Sequence, residues 1–500
     1  MIFFIQKEMV RIKKQLFLKN GLIMAVSALI IRSMNLFFRV FLADRIGAEG
    51  IGLYQLTVSV YIFFAAAATS GISLTTTRLY ADFSARGEYG KAKDAVRKCL
   101  IISVIAGTVL GGLLFLSANF SAEYFLRDER TAPALKLLAP SLPFMAVSAC
   151  IRGYFTARRK TLPTSVEQLL EQVIEMGVFA AAFALTKPDT LAKACCTAVL
   201  GTTLAEVISF VYSLICYAVD IRKLSCKSAA ADGLLKKILP VAVPVTANSC
   251  LRSGLGAVEN VLIPSGLKKN GSDSADALAQ YGMVSGMAMP IVTFPSVFIL
   301  PFASLIVTEM SEAFARHHTK SIRHIAEKMF RLTLLYSIPV TMLILFYAGD
   351  IGENLYHNHN VGKFLVLLAP VVPFMYLDSV TDGMLKGLNE QTSYLIFNII
   401  DSVIRVILTY LLLPTWGIWG IVAVIVISEV LNTVMSIARL VKVTDIQIMV
   451  FDWIVRPILC IVTPCLLAKP IPCHFTVKIL LCLGFYTGML FLTKKKTVCQ

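Results

Sequence analysis

Leu137-Leu138-Ala139-Pro140-Ser141-Leu142-Pro143-Phe144-Met145 returns later in the chain as Leu367-Leu368-Ala369-Pro370-Val371-Val372-Pro373-Phe374-Met375. Each copy lies inside an apolar run of about twenty residues, the length that crosses a hydrocarbon core. Such runs recur along all 500 residues, separated by short polar loops. The chain is 57% hydrophobic and only 16% charged, with a mean hydropathy of +0.73, whereas soluble domains carry about 25% charged residues. The runs are continuous rather than alternating. Since only helices and closed barrels satisfy their backbone in lipid, the runs read as helices. The expected fold is an all-α integral membrane protein of about fourteen transmembrane helices. The spans fall at 16–42, 51–72, 96–118, 131–155, 164–186, 191–219, 234–263, 277–305, 325–348, 361–387, 392–413, 417–442, 450–468 and 474–493.

Charge sets the orientation. Alternate loops hold most of the lysines and arginines, including Lys7, Arg11, Arg86, Lys91, Arg158, Lys160, Arg222, Lys227, Arg316, Lys320 and Lys494–Lys496. The other loops hold Asp44, Glu49, Glu123, Asp128, Asp273, Asp350 and Glu353. The positive-inside rule then places both termini in the cytoplasm of a multi-pass cell-membrane protein. The net charge of +16 is topogenic by this reading and implies no nucleic acid, since no basic patch interleaved with aromatics occurs. Segments 78–95 and 316–331 read as basic amphipathic surface helices. The N-terminus reads as an uncleaved first helix with a cytoplasmic tail. The twelve cysteines lack paired metal spacing, so neither a metal site nor a cofactor is expected. Phosphate-binding glycine loops, zinc-protease helices and nucleophile elbows are absent, so no enzyme is expected.

The echo extends outward. Its offset also aligns Gly153 with Gly383 and Glu171 with Asp401, and a second echo sets Glu206-Val207 against Glu429-Val430. The chain therefore divides into 1–222 and 223–448, two six-helix lobes, followed by 449–500, two further helices and a basic tail. An even number of spans per half makes the repeats parallel, related by a pseudo-two-fold axis along the membrane normal. That is one of the architectures of secondary transporters.

Ionisable residues at membrane depth are costly and face a partner or a cavity. The first span carries Arg32, Asn35 and Arg39, and the seventh carries Asn248, Arg252 and Glu259. Each half thus opens on a helix with Asn and Arg one turn apart, expected to line the cleft between halves. A planar, permanently charged guanidinium suits phosphate, so these six residues form the candidate substrate site. The bland alternative is that the arginines serve topology or pair with Glu259, Asp44 or Glu49. The fifth span carries Glu167, Glu171 and Glu175 on one face, and its counterpart carries Asp401 and Arg405. Glu171 and Asp401 are candidates for ion coupling, against pairing with Arg152 or Arg158 inside the lobe. Pro140, Pro143, Pro290, Pro295, Pro370 and Pro373 are read as helix kinks, which suit rocking helices and static bends alike.

Gly47-Ala48-Glu49-Gly50-Ile51-Gly52-Leu53-Tyr54, following the arginine-bearing span, resembles the opening of polysaccharide-type flippases. The chain as a whole is similar to the multidrug/oligosaccharidyl-lipid/polysaccharide flippase superfamily, and within it to the lipid II flippase and stage V sporulation protein B branch. The resemblance implies transport of an undecaprenyl-diphosphate-linked glycan, a peptidoglycan precursor of the kind used in spore cortex, by alternating access. It also implies that Arg32, Arg39 and Arg252 serve the diphosphate, and that a groove at the last two helices holds the polyprenyl tail. Those flippases carry further charges around the second helix. Here that span is uncharged, with Arg78 only at its end. The expected partners are the lipid-linked glycan, membrane lipids, and cell-wall synthesis or sporulation proteins. Na+, H+ and the membrane potential remain candidate driving forces. A cation-coupled multidrug exporter and a non-transporting scaffold for cell-wall synthesis are the alternatives.

Overall fold

Helices and tight turns make up the whole described chain. The structure, a computed structural model, describes residues 2–223, 233–446, 449–468 and 475–492, with most side chains from Val26 onward. The basic residues Lys227 and Lys494–Lys496 lie outside the described residues. Among those described there is no strand. The helices are α1 Ile2–Ala85, α2 Tyr89–Phe120, α3 Ala132–Leu138, α4 Ser141–Ala157, α5 Leu162–Thr186, α6 Leu191–Arg222, α7 Leu234–Lys269, α8 Ser274–Tyr281, α9 Met289–Thr293, α10 Leu300–Ala315, α11 Thr319–Tyr356, α12 His359–Leu368, α13 Val372–Gly387, α14 Gln391–Trp416, α15 Ile418–Thr444, α16 Arg456–Ala468 and α17 Phe475–Leu492. Ten helices of the described chain are long and apolar enough to cross a membrane, or eleven if the bent pair Glu129–Leu138 and Ser141–Ala157 is one span.

The outward faces show what surrounds the chain. Only 6% of the most apolar window of α14 is buried, and 11% of that of α5. What α14 exposes is Leu395, Ile396, Ile400, Val403, Ile407 and Leu411. Apolar side chains held outward along whole helices fit hydrocarbon rather than water.

The chain forms two compact units, one through Val261 and one from Leu262, so that the change falls within α7. In the first unit, α1 packs on α4, α2 and α5, and α5 packs on α6. The helix α1 contains two of the expected spans. They are joined at Gly47, whose backbone (φ 69°, ψ 179°) lies in the left-handed region open to glycine. The expected loop between them thus collapses to one residue. Glu49, just beyond it, is tied 2.8 Å from Arg130, which also grips Asp128 at 2.7 Å. Asp44 pairs instead with its neighbour Arg45.

A core of Tyr80, Phe83, Val96, Cys99, Ile151, Tyr154 and Phe155 fills the space between α1, α2 and α4, and Leu234 and Ile238 of α7 close it. Tyr154 meets Tyr80 edge to face at 5.0 Å and donates to Asp220 at 2.9 Å. Arg158 and Lys160 donate to the same carboxylate. Gly153 permits the α1–α4 approach. A Cβ there would stand 2.4 Å from the carbonyl oxygen of Ser73.

In the second unit, α14 packs on α15, α11 on α12 and α13, α10 on α13, and α16 on α17 and α11. At both copies of the sequence echo, prolines lie where one helix ends and the next begins. Pro140 and Pro143 sit at the break between α3 and α4, where the chain bends by 47°. Pro370 lies in a 3-10 turn, Ala369–Val371, and Pro373 in the first turn of α13. Pro290 opens α9, and Pro295 lies in the 3-10 turn Phe294–Phe298. Pro140, Pro143, Pro370 and Pro373 stand at helix starts, where a missing N–H costs little, whereas Pro290 and Pro295 lie inside the span Ser274–Phe298 where it passes from π to α to 3-10 turns.

The expectation of amphipathic surface helices at 78–95 and 316–331 is not met. Residues 78–85 continue α1, and α2 begins at Tyr89 after the turn at Gly87 (φ 76°). Likewise α10 runs to Ala315 and α11 starts at Thr319 across His317 (φ 55°). Left-handed residues reverse the chain within three positions, so the basic stretches are ends of long helices. Ion pairs one turn apart, Arg86–Asp82 at 2.8 Å and Arg316–Glu312 at 2.6 Å, lie along them.

Candidate functional site

The first unit holds a line of charged and amide side chains on α1, α4, α5 and α6. Its position follows from aromatic packing. Phe179 of α5 is fully buried and meets Phe38 and Phe41 of α1 edge to face, with centroids 5.7 and 5.6 Å apart. Such pairs fix helix register as well as contributing apolar burial. They set Asn35 and Arg39, one turn apart on α1, beside Gln172 and Glu175, nearly one turn apart on α5.

A chain of hydrogen bonds follows. Arg39 donates through Nε to Asn35 Oδ1 at 3.1 Å. Asn35 donates through Nδ2 to Gln172 Oε1 at 3.5 Å. Gln172 donates through Nε2 to Glu175 Oε2 at 3.4 Å. The hydroxyl of Thr202 on α6 donates to Glu175 Oε1 at 2.8 Å. Every donor in the line points from the cation toward the anion. Arg39 is half-buried and Asn35 exposed. Among the described residues Arg39 makes this one side-chain hydrogen bond, which leaves its two terminal nitrogens for other acceptors.

Deeper in the unit, Arg152 of α4 donates to Glu167 of α5 at 3.0 Å, with Glu167 only 1% exposed. The Arg152 charge also acts on Glu171 and Glu206. Glu206 is 3% exposed, and its Oε2 has no hydrogen-bond partner among the described residues. Glu171 and Glu206 interact directly. Carboxylates gathered in a low-dielectric interior need a cation nearby, and Arg152 supplies it. For Glu167, the pairing inside the lobe is therefore the one observed.

The remaining expected residues fall as follows. Arg32 is half-buried on α1 and engaged by another group. Asn248 and Arg252 lie one turn apart on α7, the first half-buried and the second exposed, and Glu259 is half-buried two turns on. Both Arg252 and Glu259 are engaged by other groups. In the second unit, Asp401 accepts from Ser428, and Arg405 lies 3.8 Å from Glu429. Among the described residues no group of three or more His, Cys, Asp or Glu is arranged to hold a metal ion.

The structure thus joins Asn35 and Arg39 with Glu175, and sequence reading had missed the link. Gln172 and Thr202 make it, and neither had been singled out. Their only signal was a neutral amide and a hydroxyl at membrane depth, which read as packing.

An all-helical chain with apolar outward faces and charges held within its helices is a multi-span membrane transporter. It belongs to the polysaccharide biosynthesis protein family, whose model matches residues 17–308. A second model, MatE, matches residues 270–411. The chain is 27% identical to stage V sporulation protein B of Bacillus subtilis (strain 168) over 448 residues, covering 88% of this chain and 86% of that one. It is 19% identical to the lipid II flippase MurJ of the same organism, covering 78% and 76%. Among solved structures it is similar to a lipid II flippase MurJ in an inward closed conformation (TM-score 0.65, 13% identity, 93% of this chain and 97% of that one). It is also similar to an inward-facing multidrug resistance MATE family transporter of the MOP superfamily (TM-score 0.67, 15% identity, 84% and 99%). These relatives are transporters and flippases of the multidrug/oligosaccharidyl-lipid/polysaccharide superfamily, not enzymes.

Proposed function

We propose that the protein flips an undecaprenyl-diphosphate-linked glycan, a peptidoglycan precursor, from the cytoplasmic to the outer leaflet by alternating access. The observation that carries the reading is Arg39. A guanidinium set among helices by Phe38 and Phe179 holds its orientation through Nε and keeps a two-nitrogen fork for a phosphate oxygen pair. Arg32 and Arg252 are the further diphosphate ligands, with Asn35, Asn248 and Glu259 orienting them. The likeness to stage V sporulation protein B and to the lipid II flippase supports a cell-wall precursor, and a sporulating cell is where we place its use.

The same reading has fourteen spans, two parallel six-helix repeats with two added helices, both termini in the cytoplasm and the cell membrane as location. Cell-wall synthesis or sporulation proteins would be its partners. Coupling to Na+, H+ or the membrane potential would act through Glu171 and Asp401. Multidrug export is disfavoured because a cationic drug would meet arginines here. A pure scaffold would have no use for a guanidinium oriented in this way.

The test is complementation. A bacterial host depleted of its precursor flippase is given this protein, and labelled lipid-linked disaccharide is followed at the outer leaflet. Wild type rescues, whereas Arg39→Ala and Arg252→Ala insert normally and fail to rescue. Rescue by both variants at wild-type level would sink the site.

A further inference from the structure

The hydrogen-bonded line from Arg39 to Glu175 has a direction, and the direction has a consequence. Arg39, Asn35 and Gln172 each donate toward the next group, and the line ends on a carboxylate that Thr202 also holds. An amide chain polarised this way presents its oxygen end to the cation and its N–H end to the anion. It therefore carries the attraction between them without contact. The charges of Arg39 and Glu175 do act on one another, yet among the described residues no carboxylate forms an ion pair with Arg39 within 4 Å. A direct ion pair would occupy the fork of the guanidinium, while a counter-anion held two amides away lowers the cost of the charge and leaves the fork open.

We infer that Glu175 is the resident counter-anion of Arg39 and sets how tightly Arg39 holds the phosphate of its substrate. The inference rests on the reading of Arg39 as a diphosphate ligand and adds a residue that tunes affinity. An incoming diphosphate meets an arginine whose field is already partly satisfied, so it is bound weakly enough to leave. Binding equally tight before and after translocation would slow release rather than aid transport. Glu175 touches no substrate in this account. It is a positioning and tuning residue that acts through Gln172 and Asn35.

The inference gives opposite signs for two substitutions in the same line. Glu175→Gln removes the counter-charge, so anion binding tightens. Gln172→Glu places a carboxylate one step nearer Arg39, so anion binding weakens. General damage to the α1–α5 contact would weaken both.

The experiment uses the full chain in lipid nanodiscs, with inorganic pyrophosphate and geranylgeranyl diphosphate as probes, read by calorimetry. The expected result is that Glu175→Gln lowers the apparent Kd about tenfold and Gln172→Glu raises it by a similar factor. Both effects should vanish in an Arg39→Ala background, while Glu175→Asp should stay near wild type. If Arg39→Ala weakens binding but Glu175→Gln leaves it unchanged or weaker, the counter-anion role is overturned and the reading of Arg39 stands. If Glu175→Gln does not fold, Gln172→Glu decides alone: unchanged or tighter binding overturns the role. If Arg39→Ala binds both probes as wild type does, Arg39 is no anion ligand, and the inference falls with the site on which it rests.

Discussion

Replacing Arg152 by methionine removes the cation from the three carboxyl side chains of Glu167, Glu171 and Glu206 while keeping an unbranched apolar stem. Arg152 lies 3.0 Å from Glu167, and the two side chains are 23% and 1% exposed. Its charge also acts on Glu171 and Glu206, and Glu206 Oε2 has no hydrogen bond among the described residues. Breaking a buried pair leaves an uncompensated charge and costs about 3–5 kcal/mol. At the lower end the ratio of folded to unfolded protein falls about a hundredfold. At roughly 2–4 °C per kcal/mol for a unit of this size, the midpoint drops by about 6–12 °C. The assay is built in, because Cys99, Cys150 and Cys195 are buried free thiols of the same unit. A thiol-reactive fluorophore added during a thermal ramp reports when they become accessible. Glu167→Gln alone should cost about 1.5–3 kcal/mol, the worth of a hydrogen bond to a charged group. The double variant should cost less than the sum by at least about 1 kcal/mol, because the stranded Glu167 charge is gone. An Arg152→Met protein within about 0.5 kcal/mol of wild type, or strict additivity in the cycle, would refute the reasoning.

Two further perturbations test other contacts. Gly153→Ala puts a methyl group 2.4 Å from the Ser73 carbonyl oxygen and 3.2 Å from Thr76 Cβ. Both neighbours belong to a helix, so α1 must shift, and a loss of about 1–3 kcal/mol is expected in the same thiol assay. In the second unit, Arg439 donates to Glu390 at 2.7 Å, and with Ser393 it holds that carboxyl below the usual glutamate range. A depressed folded value means stability that is full above the ordinary glutamate value of about 4.3 and lost as pH falls through the lower folded one. Glu390→Gln should therefore flatten the acid limb of the stability–pH profile and leave the neutral region nearly unchanged apart from a small constant loss. An acid limb of wild-type steepness would exclude the pair as its source.

The helices were legible because apolar length is a strong signal: the described parts of the expected spans are helical, and ten or eleven helices are long and apolar enough to cross a membrane. Breaks were legible where proline marked them, as at Pro140 and Pro370. The join at Gly47 was misread as a loop, since a glycine between charged residues looks like a turn, and only backbone geometry shows one left-handed residue doing the work of eight. The basic stretches around Arg86 and Arg316 misled for a related reason. Amphipathic periodicity continues unbroken through the end of a long helix, so it cannot tell a surface helix from the last turns of a span. At the site, the arginines and the glutamate ladder were legible as isolated charges that must have partners. Which partner each takes was not. Glu49 goes to Arg130 and Glu167 to Arg152, pairings decided by how separate helices pack. Gln172 and Thr202 were illegible because a neutral polar residue acquires meaning only from the carboxylate it meets.

The charges of the two units follow one logic with different residues. The offset that aligns Glu171 with Asp401 also aligns Arg152 with Asp382 and Glu175 with Arg405. The arginine that accompanies the acids is thus on α4 in the first unit, against Glu167, and on α14 in the second, near Glu429. Asp401 accepts from Ser428, and Asp378 accepts through Oδ2 from Asn432 at 3.0 Å. What the two places share is a guanidinium among several carboxyl groups, not its address on the helices. Low dielectric explains why. A buried carboxylate is penalised by the absence of a cation within a few ångströms, whichever helix brings it. Charge can therefore migrate between neighbouring helices as long as the local sum is kept. Arg39 is under a different constraint. Its proposed counter-anion, Glu175, is held two amides away, so moving either charge would change how its fork meets an anion. Under the proposed function Arg39 and Glu175 answer to anion binding, whereas Arg152 and Glu167 answer to the energetics of burial.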